Sequence, residues 1–274
     1  MSPEALSHAK KDALTVAPIV LYTGPSMLDD QPIVVLATLG SRNVKTGPMV
    51  QTWVLRSDMR PVDASKTTND RSVCGDCPRR HSLKGDCYVL VHNAPQSAYK
   101  AWERAGKPSG DIADAATRIA RDAVRYGVRL GAYGDPAAVP FHVCRDLFAI
   151  LPPDVKHTGY SHQWRATLFA GPQAYAHRDW CRANLMASVD NPREAQLARA
   201  AGWRFFLAMV PGQRAPLRSV ECLADRDTNP LTCQTCGICD GVAGKASRTS
   251  VYITEHGARS GAKIKRAAAL VVVQ

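Results

Sequence analysis

A chain of 274 residues, 45% of them hydrophobic, can bury a full core without covalent staples, and no apolar stretch in it is long enough to span a bilayer. Thirty-five basic against twenty-four acidic residues give a formal charge of +11, enough to attract nucleic acid or a phosphorylated small molecule. The basic residues are dispersed, however, and match no nucleic-acid-binding signature, and residues 1–15 lack a hydrophobic leader core, so a cytoplasmic protein with reduced thiols is expected.

In chain order, 33–39 is a short apolar run closed by Gly40, and 49–55 is a second. The turn sequence Lys45-Thr46-Gly47-Pro48 lies between them, so the two are expected to form a hairpin. A polar insert at 59–86 precedes an apolar run at 87–91, read as a strand. Residues 96–104 have a helical pattern, and 111–126 is the clearest amphipathic helix, stopped by Gly127. The alternation then becomes regular. Strands are expected at 128–133, 157–161, 183–189, 204–210, 218–221 and 250–254, with helices at 139–151 and from Pro192 to near Gly202. Counted from Met49 there are eight strands. That count predicts an α/β chain folded as a (β/α)8 TIM-like barrel, incomplete or irregular where helices are short, in one domain over 1–274 with loop inserts at 59–86 and 211–248.

Seven of the nine cysteines fall in two groups inside or beside those inserts. Cys233, Cys236 and Cys239 stand two residues apart from one another in turn, with Cys222 upstream, so four thiolates can converge on one soft centre. The repeated spacing favours a 4Fe–4S cluster, and tetrahedral zinc is the alternative. Cys74, Cys77 and Cys87 form a three-member group. A fourth ligand, for which His81 and His92 are nearby candidates, or an open iron would complete a second cluster. Cys144 and Cys181 stand alone and read as small buried hydrophobes.

A barrel would bring Cys74, Cys77 and Cys222 to the mouth at the C-terminal strand ends, placing two centres, or one shared site, where barrel enzymes keep their chemistry. Polar residues recur at the same strand ends: Asp135, Tyr160 and His162 as candidate catalytic groups, then Ser188, Asp190, Glu221, Glu255 and His256. No serine there has the context of a nucleophile elbow.

Several segments together resemble an uncharacterised family of iron–sulfur proteins spread through bacteriophages and bacterial mobile elements. They are Ser41-Arg42-Asn43-Val44-Lys45-Thr46-Gly47, Cys74-Gly75-Asp76-Cys77 with Cys87-Tyr88, Arg129-Leu130-Gly131-Ala132-Tyr133-Gly134-Asp135-Pro136, Thr158-Gly159-Tyr160-Ser161-His162-Gln163-Trp164, Leu185-Met186-Ala187-Ser188-Val189-Asp190, and 233–241. That resemblance implies shared architecture and carries no activity over. More loosely, the chain is similar to radical S-adenosylmethionine barrel enzymes, which would give Cys74, Cys77 and Cys87 the cluster and Gly134-Asp135-Pro136 the methionine amine. The family spaces its cysteines by three and then two residues, whereas nine residues separate Cys77 from Cys87. The expectation is an iron–sulfur protein with redox or radical chemistry on a small substrate, supplied by an electron donor. The alternative is a nucleic-acid-associated accessory protein with structural zinc or iron–sulfur sites.

Overall fold

A computed structural model describes residues 17–41, 43–165, 174–225, 231–244 and 249–254. Its sheet starts earlier than expected, at β1 (Ile19–Pro25), a β-branched apolar run closed by Gly24-Pro25. β1 pairs antiparallel with β2 (Pro32–Thr38), and β2 pairs antiparallel with β3 (Val50–Arg56), which is the expected hairpin. From β3 onward every pairing is parallel. β4 (Val128–Tyr133), β5 (His157–Ser161), β6 (Met186–Val189) and β7 (Phe205–Met209) follow as neighbours, then β9 (Ser250–Thr254), with β8 (Ser219–Glu221) outermost.

The helices form where their signals stand. α1 (Pro61–Lys66), α2 (Arg71–Cys74) and α3 (Ala94–Arg104) occupy the β3–β4 connection, followed by α4 (Ile112–Tyr126), whose Asp111 cap accepts the Asp114 N–H at 2.9 Å. α4 buries Ala115, Ala116, Ile119 and Ala123, four positions on one face. α5 (Phe141–Ile150), α6 (Ala174–Asn184) and α7 (Pro192–Ala200) then link β4 to β5, β5 to β6 and β6 to β7. Right-handed crossovers between adjacent parallel strands put such helices on one side of the sheet. β7 shows the result: Phe205, Leu207 and Met209 are buried in one core with Ala195 and Ala198 of α7, whereas Phe206 and Ala208, pointing the other way, are half-buried. The expectation for Cys144 and Cys181 holds, since both are buried on α5 and α6.

The (β/α)8 barrel is not formed; the sheet is open. Two facts account for this. Residues 87–91 are irregular rather than a strand, which leaves seven strands from β3 onward among the described residues. The edge of β3 that a closing strand would need is already taken by β2 through six register pairs. A strand has two hydrogen-bonding edges, so the hairpin predicted at 33–55 and a closed barrel starting at β3 exclude each other. The strand expected over 183–189 is also shorter, because Ala183 and Asn184 still belong to α6. Among the described residues no helix is long and apolar enough to cross a membrane.

Candidate functional site

The first cysteine group sits at the C-terminal ends of the parallel strands. α2 stops at Cys74 because Gly75 turns to φ 57°, and a Cβ there would come within 2.4 Å of the Gln163 side chain. Gln163 is fully buried and clasps the turn from both sides. Its Nε2 donates to the Cys74 carbonyl at 3.2 Å, and its Oε1 accepts from the Asp76 N–H at 3.5 Å. The Cys77 sulfur lies 3.8 Å from His162 Nε2. Cys87 is fixed by its N–H on the Arg79 carbonyl at 2.9 Å, while Arg79 reaches Asp190 at 2.6 Å and Asp86 at 3.6 Å. The β3–β4 connection and the ends of β5 and β6 are thereby drawn together by polar side chains.

Electrostatics report the same convergence. Burial pushes the Cys74 thiol well up, and the neighbouring Cys77 and Cys87 thiols push it further; Tyr133 is hydrogen-bonded to it. Burial opposes charge on His162, yet its contacts with Asp190, 3.5 Å away, and with Cys77 raise it to about 10. Burial likewise works against ionised Asp190, and the hydrogen bonds from His162 and Arg79 hold it below the usual carboxylate range.

The second group lies at the opposite edge. Although Cys222 follows β8, the chain over 231–244 runs back along the N-terminal strand ends. Cys233 and Gln234 donate to the carbonyls of Lys45 and Thr46 ahead of β3, at 2.9 and 3.1 Å. Lys156, ahead of β5, donates to the Gln234 and Thr235 carbonyls, and Val242 donates to the Arg182 carbonyl near the end of α6. Arg204, ahead of β7, grips the loop with bonds to Asp240 at 2.7 Å, to the Gly241 carbonyl at 2.6 Å and to the Ile238 carbonyl. Thr232 and Thr235 cap each other reciprocally at α8 (Cys233–Cys236), whose single turn sets its two cysteines on one side before Gly237 ends it in the left-handed region. The four thiols of Cys222, Cys233, Cys236 and Cys239 line one depression with Thr158 and Tyr160. Tyr160 is hydrogen-bonded to Cys239, and burial raises the pKa of both groups. All nine cysteines are described and none is in a disulfide.

The chain matches no family model, no curated protein and no solved structure.

Between the two edges lies Arg129 of β4, a charged residue in an otherwise apolar strand. It is 9% exposed, donates to the Tyr88 hydroxyl at 2.9 Å and feels the negative ends of Tyr160 and Cys233. Among the described residues no carboxylate pairs with it.

The placement of the expected residues divides accordingly. Cys74, Cys77, Cys87 and His162 come together, as do Cys222, Cys233, Cys236, Cys239 and Tyr160, but the two sets do not share a mouth. Asp135 is buried, and its carboxylate accepts from the Ala137 and His162 N–H groups at 3.0 and 2.8 Å, so it ties the ends of β4 and β5. Of the candidate fourth ligands, His81 bonds the Val89 carbonyl at 3.0 Å and His92 is exposed; the imidazole at the thiols is His162. The Ser188 carbonyl accepts from the Trp164 indole. Glu221 ends β8, and Glu255 and His256 lie outside the described residues. Gln163, Arg79, Arg129 and Arg204 were not singled out from sequence. Arg129 and Arg204 carried a readable signal, a lone charge at an apolar strand or its threshold.

Proposed function

We propose that this chain is an iron–sulfur protein whose two cysteine groups serve redox or radical-type chemistry on a small substrate held over the half-buried sheet face. The observation that carries the reading is the single depression lined by four thiols, Cys222, Cys233, Cys236 and Cys239. The donor set fits a 4Fe–4S centre: all four ligands are sulfur, Tyr160 supplies a hydrogen bond to one of them, and Arg129 offers a positive charge nearby. Among the described residues no three His, Cys, Asp or Glu side chains close on a point as a lone ion requires. Four sulfur donors also suit tetrahedral zinc, the alternative that metal analysis separates. Bound there, such a centre supplies one-electron transfer.

At the first group, Cys74, Cys77 and Cys87 would hold a second centre, and His162 is the side chain placed to complete it. On this reading no ligand position is left for S-adenosylmethionine. Anaerobic purification should give coloured protein with iron and acid-labile sulfide in equal amounts. Replacing His162 by Ala should lower the iron content by one centre and leave the second group's share in place. Colourless wild-type protein carrying stoichiometric zinc would replace the proposal with a structural-zinc reading.

A further inference from the structure

Face by face, the sheet carries a polar row where a core is expected. Thr38, Gln51, Arg129 and Thr158 are register partners on β2, β3, β4 and β5, so their side chains stand side by side on one face. Gln51 is 5% exposed, and among the described residues its buried amide nitrogen has no hydrogen-bond partner. Beside it Arg129 is also buried, and among the described residues it has a phenol but no carboxylate as partner. A buried amide donor and a buried cation are each costly unless an acceptor meets them. Two such donors on adjacent strands ask for the same thing, an oxygen anion.

We infer that Gln51 and Arg129 form the binding site for the anionic group, a carboxylate or a phosphoryl, of a small molecule lying on the sheet between the two cysteine groups. The planar guanidinium and the carboxamide N–H2 together present a set of donors suited to paired oxygens. Tyr88, whose side chain is 70% exposed although its hydroxyl rests on Arg129, forms the outer wall. A guanidinium lying this deep under a tyrosine is out of reach of the backbone of a nucleic-acid duplex, which needs exposed cations. The site shares Arg129 with the surroundings of Cys233, whereas Gln51 stands outside both cysteine groups, so a failure of the metal reading and a failure of the anion site are separable at Gln51.

The experiment is a thermal-shift and calorimetric titration of the purified protein with inorganic phosphate, acetate and, as the ionic-strength control, chloride. Wild type should gain stability with phosphate or acetate beyond chloride, and the preferred probe tells phosphoryl from carboxylate. Gln51→Leu removes the unmatched donor. It should melt no lower than wild type without ligand, yet bind the preferred anion about tenfold or more weakly, the loss expected for one hydrogen bond to a charge. Arg129→Gln should abolish the response; because Arg129 also faces Cys233, the iron content of this variant is measured beside the anion titration and Gln51→Leu carries the test of the site itself. No anion-specific gain in wild type, or Gln51→Leu binding as tightly as wild type, would overturn the inference. So would loss of metal in Arg129→Gln with anion binding intact, which would make the guanidinium a counter-charge of the cysteine centre.

Discussion

The two cysteine groups are held in different ways. The second is a short loop that brings its own geometry: a capped helical turn, a left-handed glycine and cysteines two residues apart, docked by backbone hydrogen bonds and by the side chains of Lys156 and Arg204. The first has almost no local geometry of its own. Its three thiols are gathered by side chains arriving from distant strand ends, Gln163, His162 and Asp190 among them. The difference teaches that a loop can carry a site in its sequence, whereas a site at the strand ends belongs to the fold.

The sharpest way to break the comparison is to cut the buried Arg204 grip on the second group. Arg204→Met removes the guanidinium's bonds to Asp240 and to the Gly241 and Ile238 carbonyls, and removing one member of a buried ion pair costs about 3–5 kcal/mol. Urea denaturation should show that loss, with the tyrosine and histidine signals of the first group unchanged until global unfolding. A loss under about 1 kcal/mol would mean that the backbone contacts suffice alone.

A pH test probes the layer beneath both groups. His177 of α6 is buried against Phe141, and burial lowers its pKa from 6.5 to about 4. Between those values the unfolded chain binds a proton that the folded chain refuses, so stability is full above 6.5 and falls as pH drops toward 4, by up to about 3 kcal/mol. His177→Phe should flatten that limb in equilibrium unfolding measured from pH 7 to pH 4.5. An unchanged slope would assign the acid sensitivity to other groups.

The smallest effect sharpens the first group. Gly75→Ala sets a Cβ against Gln163 at a positive φ and should cost about 1–3 kcal/mol. Combining it with Gln163→Ala should cost less than the two single changes added together, because the clash and the clasp are one contact. Strict additivity in a double-mutant cycle would show that Gln163 does not seat the turn.

These contrasts also explain what the sequence disclosed. The spacing of Cys233, Cys236 and Cys239 is local, so their convergence was readable, as were α4, the β2–β3 hairpin and the parallel alternation. The end of the sheet at which they sit was not, because it depends on Arg204 meeting Asp240 across 36 positions. His162 reaches Cys77 across 85 positions, and no periodicity announces such a contact. The run at 87–91 imitates a strand by composition, yet Tyr88 and Leu90 are exposed and the backbone there makes no ladder. Asp135 looked like a ligand contact because a carboxylate after a strand serves equally well as a cap, and here its oxygens are spent on neighbouring N–H groups.

One consequence of the occupied β3 edge concerns access. A closed barrel admits molecules only through its two ends, and its girth limits what can enter. Here the β1–β2 hairpin keeps the sheet from rolling up, and among the described residues β8 pairs only with β9, so the half-buried face carrying Ser188, Phe206 and Ala208 is not enclosed by a ring of strands. The extent of that face is set by the length of the open sheet rather than by the diameter of a ring.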